Sequence, residues 1–114
     1  PYTEIIPVKL AKVKEVPQND VGIAQFQAKN YDLAARQFHE ALGTAKTLPK
    51  IKPRDLAGIN HNIGIACEFG GHWPQALAWY QQAIALYPDA QYTQSINRCK
   101  QRETDRQELA NQGK

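Results

Sequence analysis

From Gln18 onwards the apolar positions recur with the period of an α-helix. In "DVGIAQFQAK" the spacing predicts a face of Val21, Ala24 and Gln25 close to Ala28. In "YDLAARQFHEAL" it gathers Ala34, Phe38, Ala41 and Leu42. Asn30 between them is suited to cap the second helix, with Asp32 in a first turn whose dipole favours negative charge. "TLPKIKPRD" then breaks the pattern, Pro49 and Pro53 punctuating a basic loop. A third helix is predicted from about Arg54 to Phe69, ended by Gly70-Gly71, which tolerate the left-handed geometry of a helix end. His72 stands at the cap of a fourth helix, with Pro74 in its first turn, where no N–H is needed. Its inner face carries Ala76, Tyr80, Ala83 and Ile84. Pro88-Asp89 ends that helix and opens a fifth, running towards Asn111. Tyr92, Ile96 and Cys99 line one side of the fifth helix before "KQRETDRQE" turns polar all round, as a terminal cap does.

The first sixteen residues, "PYTEIIPVKLAKVKEV", do not share this period. Pro1, Pro7 and the following Pro17 forbid a continuous helix, while Val8 and Leu10 alternate with Lys9 as in a short strand. Residues 1–16 therefore read as an extended arm or linker, or the tail of a preceding domain.

The two central hairpins repeat one another. Gly22, Ala34, Phe38 and Ala41 correspond to Gly64, Ala76, Tyr80 and Ala83, each pair 42 residues apart. Small residues belong where two antiparallel helices press closest, and a ring fills the space beside them. In the second unit Asn60, Ile63, Gly64, Cys67, Ala76, Tyr80, Ala83 and Pro88 follow the pattern W-x2-L-G-x2-Y, A-x3-F, A and P. The chain thus resembles the tetratricopeptide-repeat family over about residues 15–90. Trp73 takes the aromatic place in the turn "GGHWPQA", with Tyr31 its counterpart. The first unit matches less well: Gln25 replaces the tyrosine and Lys46 the proline. A period of 42 rather than 34 adds eight residues, about two helical turns, one for each helix flanking the loop. Helices two and three should therefore overhang.

The resemblance implies an all-α fold: a right-handed superhelix of antiparallel hairpins with about five helices. The arm covers residues 1–16, the two hairpins about 17–48 and 54–88, and a capping helix 90–112. It also implies that a partner lies along the first helix of each unit. The corresponding positions are Asn19, Ile23, Phe26 and Gln27, then His61, Ile65, Glu68 and Phe69, and on the last helix Tyr92, Ser95 and Arg102. Apolar anchors within a polar rim suit a peptide or a partner helix. Members that clamp chaperone tails hold two carboxylates with lysine, asparagine and arginine. Here those places carry Asn19, Ile23, Tyr92 and Ile96, and only Asn62 fits, so that subtype is not expected.

Composition narrows the remaining choices. A chain of 114 residues supplies one modest core, and its net charge of +3 is mild for a phosphate-backbone binder. No apolar run approaches the roughly 20 residues of a membrane span. The start at Pro1 and the absence of methionine lead us to expect a fragment or a processed product. Cys67 and Cys99 have neither metal nor redox spacing; Cys67, standing for a family tyrosine, is expected to be a buried thiol, and a disulfide to Cys99 is left open. His39, His61 and His72 lack the partners that a metal or a catalytic triad needs. Trp73 and Trp79 are expected to pack rather than to stack on a ligand. With no phosphate loop and no nucleophile motif, neither catalysis nor a cofactor is expected.

The reading is a protein-interaction or assembly scaffold. Two alternatives stand beside it. Lys46, Lys50, Lys52 and Arg54, with Lys9, Lys12 and Lys14 of the arm, would allow contact with an anionic surface or nucleic acid. Alternatively the module is purely structural, its groove filled by its own arm or by a parent protein. Two repeats are few for a stable stack, so the arm, upstream helices or self-association should cover the open N-terminal end. The longer unit "IACEFGGHWPQALAWY" also resembles repeats of bacterial envelope lipoproteins. That bears only on location, for which cytoplasm and cell envelope or periplasm both remain open.

Overall fold

The computed structural model describes residues 8–113, and among them it contains five α-helices and no strand. They are α1 (Pro17–Gln27), α2 (Tyr31–Thr47), α3 (Pro53–Phe69), α4 (Trp73–Leu86) and α5 (Ala90–Gln112). Proline stands in the first turn of α1, α3 and α4, where its missing N–H has no intrahelical partner to lose. Packing runs between chain neighbours: α1 on α2, α2 on α3, α3 on α4 and α4 on α5. The protein is elongated, with extents of 54 × 29 × 21 Å. α2 and α3 are each 17 residues long, against 11 for α1 and 14 for α4, as the longer period requires.

The two hairpins match in three dimensions down to their turns. Four main-chain hydrogen bonds of the first turn recur 42 residues later. Ala28 and Lys29 donate to Ala24 and Phe26, as Gly70 and Gly71 donate to Ala66 and Glu68. Asn30 donates to Gln25 as His72 does to Cys67, and Ala34 to Asn30 as Ala76 does to His72. Both turns need a left-handed residue at the same place: Gly71 at φ +87 and Lys29 at φ +64. Close approach is also duplicated. A Cβ on Gly22 would lie 2.5 Å from the Phe38 ring, and one on Gly64 would lie 2.6 Å from Cδ1 of Tyr80. Neither ring could stay where it is if a methyl group were added.

Phe38, Ile59 and Ile63, fully buried, fill the space between α1, α2 and α3, and Val13 and Val16 of the arm join them. Each such burial stabilises the fold by about 1.5–3 kcal/mol. A second cluster of Ile65, Ala76, Tyr80 and Cys99 joins α3, α4 and α5, and a smaller one holds Ala57, Ala83 and Tyr92.

Several local expectations are corrected. α1 buries Asn19 and Gly22, whereas Val21 is 45% exposed and Ala24 is open. The cause is Gly22, whose lack of a side chain sets which side of α1 can meet Phe38. Asn30 does occupy the cap position of α2, but its side chain donates to Gln25 Oε1 instead of capping. A side-chain cap is made by Asp89, which accepts from the Gln91 N–H at 2.8 Å. Cys67 is half-buried rather than buried, and both cysteines are free.

Candidate functional site: a face that grips the arm

Residues 8–16 cross α1, α3 and α5, and their main chain is held by side chains. Asn62 of α3 accepts from the Ala11 N–H at 2.8 Å and donates to the Ala11 carbonyl at 3.0 Å. Asn19 of α1 donates to the same carbonyl at 2.8 Å, and Asn62 donates to Asn19 Oδ1 at 3.0 Å, closing the set. Both asparagines are completely buried. At the start of α5, the Gln91 side-chain amide donates to the Lys9 carbonyl at 2.9 Å. Gly58 makes room for this approach, since a Cβ there would lie 2.7 Å from that of Ala11. Amide side chains answer both main-chain polarities and are indifferent to the side chain of the residue they hold.

Side chains of the arm supply the apolar part. Val8 and Leu10 pack against the cluster around Ile65, which also receives Phe26, Phe69 and Ile96. Leu10 touches the first cluster as well, beside Val13 and Val16. Phe26, Tyr31 and Phe69 form an aromatic group, with ring centroids 5.2–5.8 Å apart and inclined edges. Residues 1–7 of the expected arm lie outside the described residues.

α3, α4 and α5 share a largely buried polar network. Glu68 is 1% exposed and accepts from Tyr80 Oη at 2.6 Å and from Arg98 Nε and Nη2 at 2.6 and 2.7 Å; Arg102 Nε lies 3.4 Å away. Burial alone would raise the Glu68 pKa, but the hydrogen bonds of Arg98 and Tyr80 and the charges of Arg98 and Arg102 outweigh it. The carboxyl is held below its usual value. Burial next to this carboxylate pushes the Tyr80 phenol far upwards. His61, 2% exposed, shares a 2.8 Å hydrogen bond with Ser95 Oγ, and Arg98 also donates to Ser95 at 3.3 Å. Burial, and then the nearby Arg98 charge, lower the His61 pKa to about 4, so the ring is neutral at pH 7.

The sequence-derived partner positions divide accordingly. Asn19, His61, Ile65, Glu68, Tyr92 and Ser95 are buried; Ile23, Phe26, Phe69 and Arg102 are partly exposed; Gln27 is exposed. Asn19 touches the arm's main chain, while Ile65, Phe26 and Phe69 lie in the cluster that receives Val8 and Leu10. His61, Glu68, Ser95 and Arg102 belong to the polar network. Arg98, Gly58 and Gln91 escaped the reading of the sequence. Arg98 was open to discovery, because it follows Ser95 by three residues and so shares its face of α5. Elsewhere, Trp79 meets His39 edge to face at 4.9 Å, and the Arg102 guanidinium lies 5.5 Å from the centroid of the Trp73 ring. Among the described residues no cluster of three His, Cys, Asp or Glu side chains is placed to hold a metal, and no helix is long and apolar enough to cross a membrane. Comparison with protein-family models and with curated proteins finds no match for this chain.

Proposed function

We propose that this chain is a tetratricopeptide-like module for protein interaction or assembly, whose groove along α1, α3 and α5 binds an extended polypeptide segment. One observation carries the reading: Asn19 and Asn62, both fully buried, spend their amides on the main chain of Ala11. Both amides are buried with the arm seated on them, and each hydrogen bond to its main chain contributes about 0.5–1.5 kcal/mol that an empty groove would forfeit to water. Recognition through main-chain bonds, with apolar pockets for alternate side chains, is a recurring way to take an extended peptide. In this structure residues 8–16 of the chain itself take that place. The same segment in another polypeptide would meet the same groups.

A competition experiment tests this. Leu10→Asp with Ala11→Pro removes an apolar anchor and the N–H that Asn62 accepts, loosening the arm in an otherwise complete chain. A labelled peptide of residues 8–16 should then bind saturably, and Asn62→Ala should weaken it. The unaltered chain should bind it at least roughly tenfold less well, because its own arm competes at high effective concentration. Absence of saturable binding to the loosened chain would sink the proposal.

A further inference from the structure

Docking of the arm has a second result: it brings together two basic segments far apart in sequence. Lys9, Lys12 and Lys14 of the arm and Lys50, Lys52 and Arg54 of the loop and the start of α3 are all exposed. None has a carboxylate within 4 Å among the described residues. They line two adjoining clefts of about 650 and 380 Å³, the larger bounded by α5 and both sharing Lys12, Lys52 and Asp55. Six cations face three carboxylates here, Glu15, Asp55 and Asp89, an excess equal to the net charge of the whole chain.

The arm forms one wall of both clefts. The Lys9 carbonyl is engaged by Gln91 and both main-chain groups of Ala11 by Asn19 and Asn62, but the main-chain groups of Leu10 and Lys12 have no partner among the described residues. Alternate residues of an extended chain aim their main-chain groups to opposite sides. The helices therefore hold the arm at Lys9 and Ala11 and leave the main-chain groups of Leu10 and Lys12 as its unpaired edge among the described residues. An open edge is a template for a further extended chain.

We propose that these clefts dock an extended acidic polypeptide segment, which pairs with the open edge of the arm and sets its carboxylates against Lys9, Lys12, Lys52 and Arg54. A polypeptide fits better than a nucleic acid for two reasons. The carboxylates interrupt the positive path that a phosphate backbone would follow. Tyr92, the aromatic residue of the clefts, is 6% exposed and offers bases no stacking platform. A flat membrane would meet the rims of the clefts and leave the main-chain edge unused. The proposal needs the arm to be seated, but not that the groove beneath it ever accepts another chain, so failure of the competition experiment above leaves it standing.

The test uses the full chain and a labelled nine-residue peptide alternating Glu and Thr, followed by fluorescence anisotropy. Saturable binding is expected, weakened at least roughly tenfold when Gln replaces Glu or when Lys12→Glu and Lys52→Glu are combined. Methylating alternate peptide amides should also weaken it, since the edge then loses its donors. Arg36→Glu with Lys100→Glu, on exposed positions elsewhere, should change affinity less than about twofold. Unchanged melting of each variant excludes a folding defect. Equal binding of the Glu and Gln peptides, or equal loss in both charge-reversed variants, overturns the proposal. So does tighter binding of a single-stranded oligonucleotide or of phosphatidylserine vesicles with the same dependence on Lys12 and Lys52.

Discussion

Phe26 and Glu68 occupy the same place in the two hairpins, 42 residues apart, and so do Phe38 and Tyr80, and Asn19 and His61. The backbones around them agree bond for bond in the turns. In the first hairpin this place belongs to an aromatic group that shares contacts with Tyr31 and Phe69. In the second a buried carboxylate ties Tyr80 of α4 to Arg98 of α5. The fold thus tolerates either solution at one backbone position. What differs is the neighbour: apolar packing accepts many partners, whereas Glu68 requires the cation that α5 presents.

The largest test of the contrast removes the carboxylate. Glu68→Ala leaves Arg98 without its partner and should cost about 3–5 kcal/mol in urea unfolding. Phe26→Ala, at a partly exposed site, should cost less. Replacing Glu68 and Arg98 together by leucine should recover much of the loss, because a well-packed apolar pair often matches a buried ion pair. A cost below about 1 kcal/mol for Glu68→Ala would place the network outside the stability of the fold.

Acid should discriminate between the hairpins next. His61 has a folded pKa lowered from the usual 6.5 to about 4, so the unfolded chain takes up its proton first as pH falls. Its contribution is complete above pH 6.5 and declines through the window down to about pH 4, by on the order of 3 kcal/mol. Glu68, with its lowered pKa, loses its contribution at still lower pH, as the folded carboxyl becomes protonated. Both signs make acid destabilising. His61→Gln should flatten the upper part of the profile, and the Asn19 counterpart in the first hairpin has no titration to lose. NMR titration of the His61 ring with a midpoint near 6.5 would contradict this.

The smallest effect concerns the turns. Lys29 holds the left-handed geometry that Gly71 adopts in the other hairpin, at the steric cost of a Cβ. Lys29→Gly should raise stability by up to about 1 kcal/mol, and Gly71→Ala should lower it by a similar amount. Thermal melts of the two variants shifting in the same direction would break the equivalence of the turns.

Much of the fold was legible because it is local and repeated. Prolines and glycines marked the helix ends, and the constant offset of Gly22 and Gly64 from Phe38 and Tyr80 exposed the duplication. Val21 misled because a helix can be read from its apolar side chains, while the buried side here is chosen by the absence of one, at Gly22. The groove positions came from family resemblance, and it was not evident that six of them would be buried. Their burial comes from contacts between residues distant in sequence, such as Asn19 with Asn62 and Glu68 with Arg98. The offset itself held one unread clue: a glutamate stands where the first hairpin has phenylalanine. Such an exchange at a packed position calls for a nearby cation, and Arg98, half-buried on α5, is that cation.

Hydrogen exchange at the Ala11 amide tests most directly whether the groove grips the arm's main chain. The 2.8 Å bond to Asn62 predicts strong protection of this amide in an otherwise non-helical segment, and loss of that protection in Asn62→Ala while the amides of α3 stay protected. Exchange of the Ala11 amide at the rate of a free peptide in the unaltered protein would contradict the account.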